Sequence, residues 1–211
     1  MNLGVKSVVN LAVLFALSNA AAISIAQAEP ATTAQDSPRV HELAVFEHPL
    51  SFHFPHNWRL AYSEHRGDMF SAEFVPNDEF LNKWSSLYCV QSFKNKANSI
   101  NAEAFLDTFA DNYRHSCQGE VNYNKIGSQV INGQPAFSAL LSCSKMPLNH
   151  STDGSFGQQS LSEIGHFTVV QGQQHLYLMH HSARGVGSVS VDIAKAIQAP
   201  DKAITGGTVF K

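Results

Sequence analysis

The sequence predicts an α+β domain, an antiparallel β-sheet packed with a few helices, and three observations carry that reading. Short apolar-rich segments dominate the chain, turn-forming residues separate most consecutive ones, and helical periodicity is confined to a few insertions between hairpins.

The elements follow in order. Residues 1–28 read as a secretory signal, because Lys6 precedes an apolar run from Leu11 to Ala26 and Ala26-Gln27-Ala28 offers the peptidase small residues. The alternative is a retained anchor, but Ser18, Asn19 and several alanines leave the run short of the roughly 20 strongly apolar residues a spanning helix needs. No later run is long enough to span, so the mature chain is expected in the periplasm or medium with no membrane span. Residues 29–44, rich in Pro, Thr, Ala and Ser, read as a flexible leader. A single domain is expected over 45–199 and a tail over 200–211.

Within the domain, Phe52 and Phe54 alternate with polar neighbours, and Arg66-Gly67-Asp68 can turn one strand into the next, which places strands near 50–54, 58–65 and 69–75. After Pro76, an Asn or Asp followed by Phe80, Leu81 and Trp84 predicts a short helical turn, and "LYCVQSF" a strand. Phe105, Leu106, Phe109, Ala110 and Tyr113 fall on one stripe of a helix capped by Asn101. Asn132-Gly133 between apolar-rich runs predicts a hairpin over about 120–145, since both central residues of that turn need positive φ. A polar stretch over 147–161 is a long loop, and a second hairpin turns near Gly172. Val189, Ile193, Ala196 and Ile197 suggest a last helix before Pro200.

A net charge of -3 and a pI near 6.4, with scattered lysines and arginines, exclude the basic field that nucleic-acid binding uses. Three cysteines in an exported chain suggest one pair and one buried thiol. Pairing Ile131 with Gln134 sets Cys143 opposite Asn122, close after Cys117 at the end of the helix, so Cys117 and Cys143 are the expected bridge and Cys89 a buried strand residue. Three free thiols remain the alternative.

Chemistry is harder to find. Ser142-Cys-Ser-Lys145 has the Ser-x-x-Lys spacing but falls in a strand, where serine and lysine point to opposite faces. Gly-x-Ser-x-Gly is absent, Gly185-Val-Gly187 lacks the rest of a dinucleotide fingerprint, and no phosphate-binding loop occurs, so no cofactor is expected. Asp78 and Glu79 suit a helix start, Asp107 and Asp111 a solvated helix face, and Trp58 and Trp84 a core more than a groove. Among the eleven histidines, His180 and His181 are strand neighbours whose side chains leave opposite faces. With Gly172-Gln173 as a two-residue turn, however, His166 faces Met179 and lies diagonal to His181, a set that would suit copper; a turn at Gln171-Gly172 would put Tyr177 there instead.

The order of strands, the Pro55-His-Asn-Trp58 entry, the Phe74-Val-Pro76 exit before a tryptophan-containing turn, the mid-chain helix and the closing hairpin resemble the PsbP/Mog1-like superfamily over roughly residues 45–198. The resemblance implies a small sandwich of antiparallel sheet and helices, used by relatives as an extrinsic subunit, adaptor or envelope protein, and it brings no shared catalytic residues. The expectation is a non-enzymatic envelope protein that binds a protein partner or small ligand. The alternatives are a copper- or zinc-handling protein using His166, Met179 and His181, and a hydrolase whose site the sequence does not announce. Exported material is expected to begin at Glu29; an intact mass matching residues 1–211 would show instead that the apolar segment stays.

Overall fold

A computed structural model describes residues 39–147, 160–185, 197 and 199–211. Its strands are β1 (Arg39–Val45), β2 (His48–Phe54), β3 (Trp58–Arg66), β4 (Met69–Pro76), β5 (Ser86–Phe93), β6 (Val121–Ile131), β7 (Gln134–Pro147), β8 (Ser160–Gln171) and β9 (Leu176–Gly185). Helix α1 (Ala102–Ser116) follows β5, and a short 3-10 helix spans Pro200–Ala203. β1 and β2 form a hairpin of their own; the other seven strands form one sheet in the order β3-β4-β5-β9-β8-β7-β6, every pair antiparallel.

The central strands are covered on both faces, so they read as nearly continuous apolar runs. Along β9, Leu176 and Leu178 face α1, whose Leu106, Ala110 and Tyr113 meet Phe137, Leu141, Phe167 and Val169. Tyr177 and Met179 face the opposite way, into a core closed by Leu43, Val45, Leu50, Phe52 and Phe54 of the β1–β2 hairpin and by Phe210. The result is three layers: helix, sheet, hairpin. Helix α1 starts where Asn101 Oδ1 accepts from the Ala104 N–H at 2.8 Å, and acidic Glu103 and basic Arg114 and His115 match its dipole.

A buried ion pair ties the helix side together. Arg184 Nε donates to Glu163 Oε2 at 2.7 Å, with both side chains under 8 % exposed; Tyr113 donates to the other carboxylate oxygen at 3.4 Å, and the guanidinium lies 4.0 Å from the centre of the Trp84 ring. Removing either partner would leave a charge buried alone, at a cost of about 3–5 kcal/mol.

Local signals hold well. Asn132 (φ 47) and Gly133 (φ 79) make the two-residue turn between β6 and β7. Cys117 and Cys143 are bridged, with a Cα–Cα distance of 5.8 Å, and Cys89 is a buried free thiol. A bulge between Lys125 and Gly127 moves Cys143 from Asn122 to Val121. A second bulge lies on β3 between Leu60 and Tyr62, so each edge strand of the sheet carries one.

Three expectations are corrected. The leader reading over 29–44 extends too far, because Arg39–Val45 pairs along its length with β2 and buries Leu43 and Val45. The turn after Pro76 is not helical: the Glu79 carboxylate accepts from the Ser85 N–H at 2.8 Å and from its hydroxyl, closing a loop that buries Trp84 and leaves Phe80 exposed. Residues 200–211 are no loose tail, because Phe210 and Thr208 are buried and Asn132 Nδ2 donates to the carbonyls of Thr205 and Thr208. The expected signal, the 148–159 portion of the polar loop and the last helix apart from Ile197 and Ala199 lie outside the described residues.

The bridge closes 26 positions of chain, which by restricting the unfolded state stabilises by roughly 3–4 kcal/mol. Peptide mapping without reductant is expected to link Cys117 to Cys143, and Cys117→Ser with Cys143→Ser to lower unfolding stability by that amount in urea titration. Cys89 in the bridge would contradict the fold.

Candidate functional site

The strand ends beside the 3-10 helix enclose a cavity of about 230 Å³, lined by His53, Phe54, Pro55, Trp58, Tyr88, His181, Ala199, Lys202 and Ala203. Its geometry begins with Pro55, whose carbonyl accepts from the Trp58 N–H at 3.0 Å, so the chain reverses and lays Trp58 against Phe54 with ring centres 6.1 Å apart and planes 13° from parallel. Phe54 in turn meets Tyr88 edge-on at 4.8 Å. The Tyr88 hydroxyl donates to the Pro200 carbonyl at 2.6 Å, which holds the 3-10 segment over the sheet. Burial, with the Asp201 charge and Cys89 adding to it, pushes the Tyr88 phenol well above its usual range, so it stays a neutral donor.

The polar groups are arranged at one side and at the mouth. His181 stands edge-on to Trp58 at 5.8 Å, and its Nε2 lies 3.0 Å from Ser86 Oγ. Lys202 extends into solvent, 72 % exposed, near Asp201 at 3.9 Å. The arrangement offers an aromatic wall, an imidazole and an ammonium at the rim. It can hold a small planar group with an anionic end by stacking and charge.

The second hairpin corrects both registers weighed from the sequence. Gly172 to His175 form a four-residue connection, and Gln171 pairs with Leu176. The reason is not local: the Gln173 N–H donates to the Phe210 carbonyl at 3.3 Å and the His175 N–H to the Lys211 carbonyl at 2.9 Å, while a side chain on Gly172 would collide with that same Lys211 carbonyl. The faces are preserved by a shift of two. His166 therefore opposes His181 directly, and Met179 opposes Thr168, diagonal to His166. Met179 is fully buried among the core aromatics, and His166 Nε2 is buried without a hydrogen-bond partner.

Other candidates resolve into structure. Ser142, Cys143 and Lys145 lie along β7. Asp107 accepts from Tyr123 at 2.8 Å and pairs with Lys125; Asp111 pairs with Arg114. Burial pushes the Cys89 thiol well above its ordinary value, the opposite of a reactive thiolate. Core is the expectation for both tryptophans; Trp84 fits it, whereas Trp58 also walls the cavity. Tyr88, Ser86 and Lys202 carry no signal of their own in the sequence, and only the Pro-x-x-Trp turn signals that this end of the sheet is built.

No protein-family model matches the chain, and no curated protein sequence does. Solved structures do. The chain is similar to the Ran-binding protein Mog1p of Saccharomyces cerevisiae, at 11 % identity and a TM-score of 0.43, covering 79 % of this chain and 87 % of that one. It is also similar to cyanobacterial PsbP from Synechocystis, at 12 % identity and a TM-score of 0.45, covering 81 % and 92 %.

Burial lowers the pKa of His166 below its ordinary 6.5, with Asp201 opposing. The unfolded chain therefore binds that proton at higher pH than the folded one, so stability falls as pH drops below about 6.5 towards the folded value. Unfolding titrations across pH 7.5 to 5 are expected to show a shallower loss for His166→Leu than for the parent chain.

Proposed function

We propose that this chain is a non-enzymatic exported protein of the cell envelope that binds a partner or small ligand, and that the aromatic cavity beside Pro200–Ala203 is its ligand site. The observation that supports this most is the cavity's composition. Phe54, Trp58 and Tyr88 are rigid aromatic surfaces held by one another, and the Lys202 ammonium at the rim gives the cavity a charged end. A site of about 230 Å³ suits a group smaller than a drug-sized molecule, such as a single aromatic ring bearing a carboxylate. The same group presented on a protein partner would fit equally in size and charge.

A second reading, a hydrolase, is favoured by one distance: Ser86 Oγ and His181 Nε2 are 3.0 Å apart at the edge of this cavity, the reach required of a nucleophile and its base. The same bond also joins β5 to β9, which is reason enough for it in a binding protein.

The mature chain should be titrated with small aromatic carboxylates while following tryptophan fluorescence, in parallel with Trp58→Ala and Lys202→Glu. Binding is expected to weaken about tenfold or more in each variant, which is 1.4 kcal/mol or above. Equal affinity in all three proteins would remove the cavity as the site. Labelling of Ser86 by a fluorophosphonate, lost in His181→Ala, would replace binding with hydrolysis.

A further inference from the structure

At one end of the sheet three connections meet: the β1–β2 turn carrying Glu47 and leading into His48 at the start of β2, the β8–β9 connection carrying His175, and the segment after β5 carrying Lys94 and Asn95. One nitrogen from each imidazole and a Glu47 carboxylate oxygen all lie within 4.8 Å of one another. Of these residues His175 is 1 % exposed, His48 half-buried and Glu47 exposed. The Asn95 N–H donates to His175 Nδ1 at 3.1 Å, whereas His175 Nε2 is buried with no hydrogen-bond partner. A buried polar nitrogen left without a partner is uncommon and costly in a folded protein. The Phe46 ring covers the imidazole edge-on at 4.9 Å, and Phe46 itself has φ 53 at the β1–β2 turn.

We infer that Glu47, His48 and His175 form an open divalent transition-metal site, suited to Zn²⁺, with solvent completing the coordination. Two imidazoles and one carboxylate are the donor set of a three-ligand zinc centre, and imidazole nitrogens select zinc or copper over calcium or magnesium. Ligand atoms around tetrahedral zinc stand about 3.3 Å apart, so the set must close by a modest amount. The two ligands that have to move are the exposed Glu47 side chain on the turn and the half-buried His48 side chain at the start of β2, and the third is fixed by its burial. Lys94 Nζ stands 3.2 Å from the Glu47 carboxylate.

Loading has two consequences in the surroundings. With Asn95 donating to Nδ1, the neutral ring carries its proton on Nε2. For the cation to take Nε2, that proton leaves to solvent while Nδ1 gains one, and the Asn95 N–H must then turn away. Lys94 must also release Glu47, and its charge opposes the incoming cation. Both effects make the site weaker than a closed structural zinc centre, and both can be measured. The cavity at the other end of β9 is not involved.

The test uses the oxidised mature chain, stripped with chelator and titrated with Zn²⁺ in competition with a chromophoric chelator. One equivalent is expected to bind, about tenfold or more weaker in His48→Ala and in His175→Gln, and tighter in Lys94→Met, whose carboxylate is no longer neutralised. His48→Ala shortens a half-buried side chain at the start of β2, and an unchanged melting temperature without metal shows that any loss is not misfolding. Co²⁺ in place of zinc is expected to give the visible absorption of a four-coordinate site, and the Asn95 amide resonance to shift on loading. Zn²⁺ affinity unchanged in His48→Ala or His175→Gln overturns the site and assigns binding to other histidines, as does an Asn95 resonance that stays in place while one equivalent binds.

Discussion

Two backbone carbonyls near the end of the chain, those of Phe210 and Lys211, set the register on which both faces of the sheet depend. They accept from the N–H groups of Gln173 and His175 and so stretch the β8–β9 connection to four residues. A side chain's face in a sheet is decided by parity, and its neighbours by register. The four-residue connection keeps Leu176 and Leu178 towards α1 while bringing His166 opposite His181 and leaving His175 in the connection itself. Phe210 contributes more than a carbonyl, since its ring packs edge-on to Tyr177 in the core under the β1–β2 hairpin. The Asn132 side chain, which donates to Thr205 and Thr208, couples the other hairpin to the same segment.

Whatever the sequence made legible was local. Asn132-Gly133 carries its own turn chemistry, the Phe105 to Tyr113 stripe its own period, and Cys117 with Cys143 could be paired because a short hairpin and a helix end meet within a few residues. The one-residue error in that register came from the bulge at Lys125–Gly127, which no composition announces. What was illegible was set by distant partners. The β8–β9 loop length depends on residues some forty positions later, and β1 was masked because only Leu43 and Val45 show its alternation after a polar leader. The Glu79–Ser85 bonds replace a helix that apolar spacing alone would allow.

The candidate sites divide in the same way. Trp58 was visible through its Pro-x-x-Trp turn, but the cavity wall it joins draws Tyr88, His181 and Lys202 from three other segments. His175 opens the histidine-rich run of the last strand, yet its neighbours Glu47 and His48 belong to the opposite end of the chain. The Glu47–His48–His175 cluster gathers where connections between strands converge, whereas the cavity takes Phe54, Trp58, Tyr88 and His181 from strands and Lys202 from the 3-10 helix. The buried Glu163–Arg184 pair is a charged group inside the layers, enclosed by Tyr113 and Trp84, and it joins α1, β8 and β9.

The bulges at Leu60–Tyr62 and Lys125–Gly127 interrupt the two outermost strands, where Leu60, Ile126 and Val130 stand exposed. A flat, unpaired strand bearing apolar side chains is a template on which another chain can continue the ladder, and from there an ordered aggregate can grow. An extra residue in each border strand breaks the spacing of its free N–H and carbonyl groups and twists the strand away from a straight neighbour. Each border strand is therefore a poorer template for a second chain than a straight strand of the same composition would be.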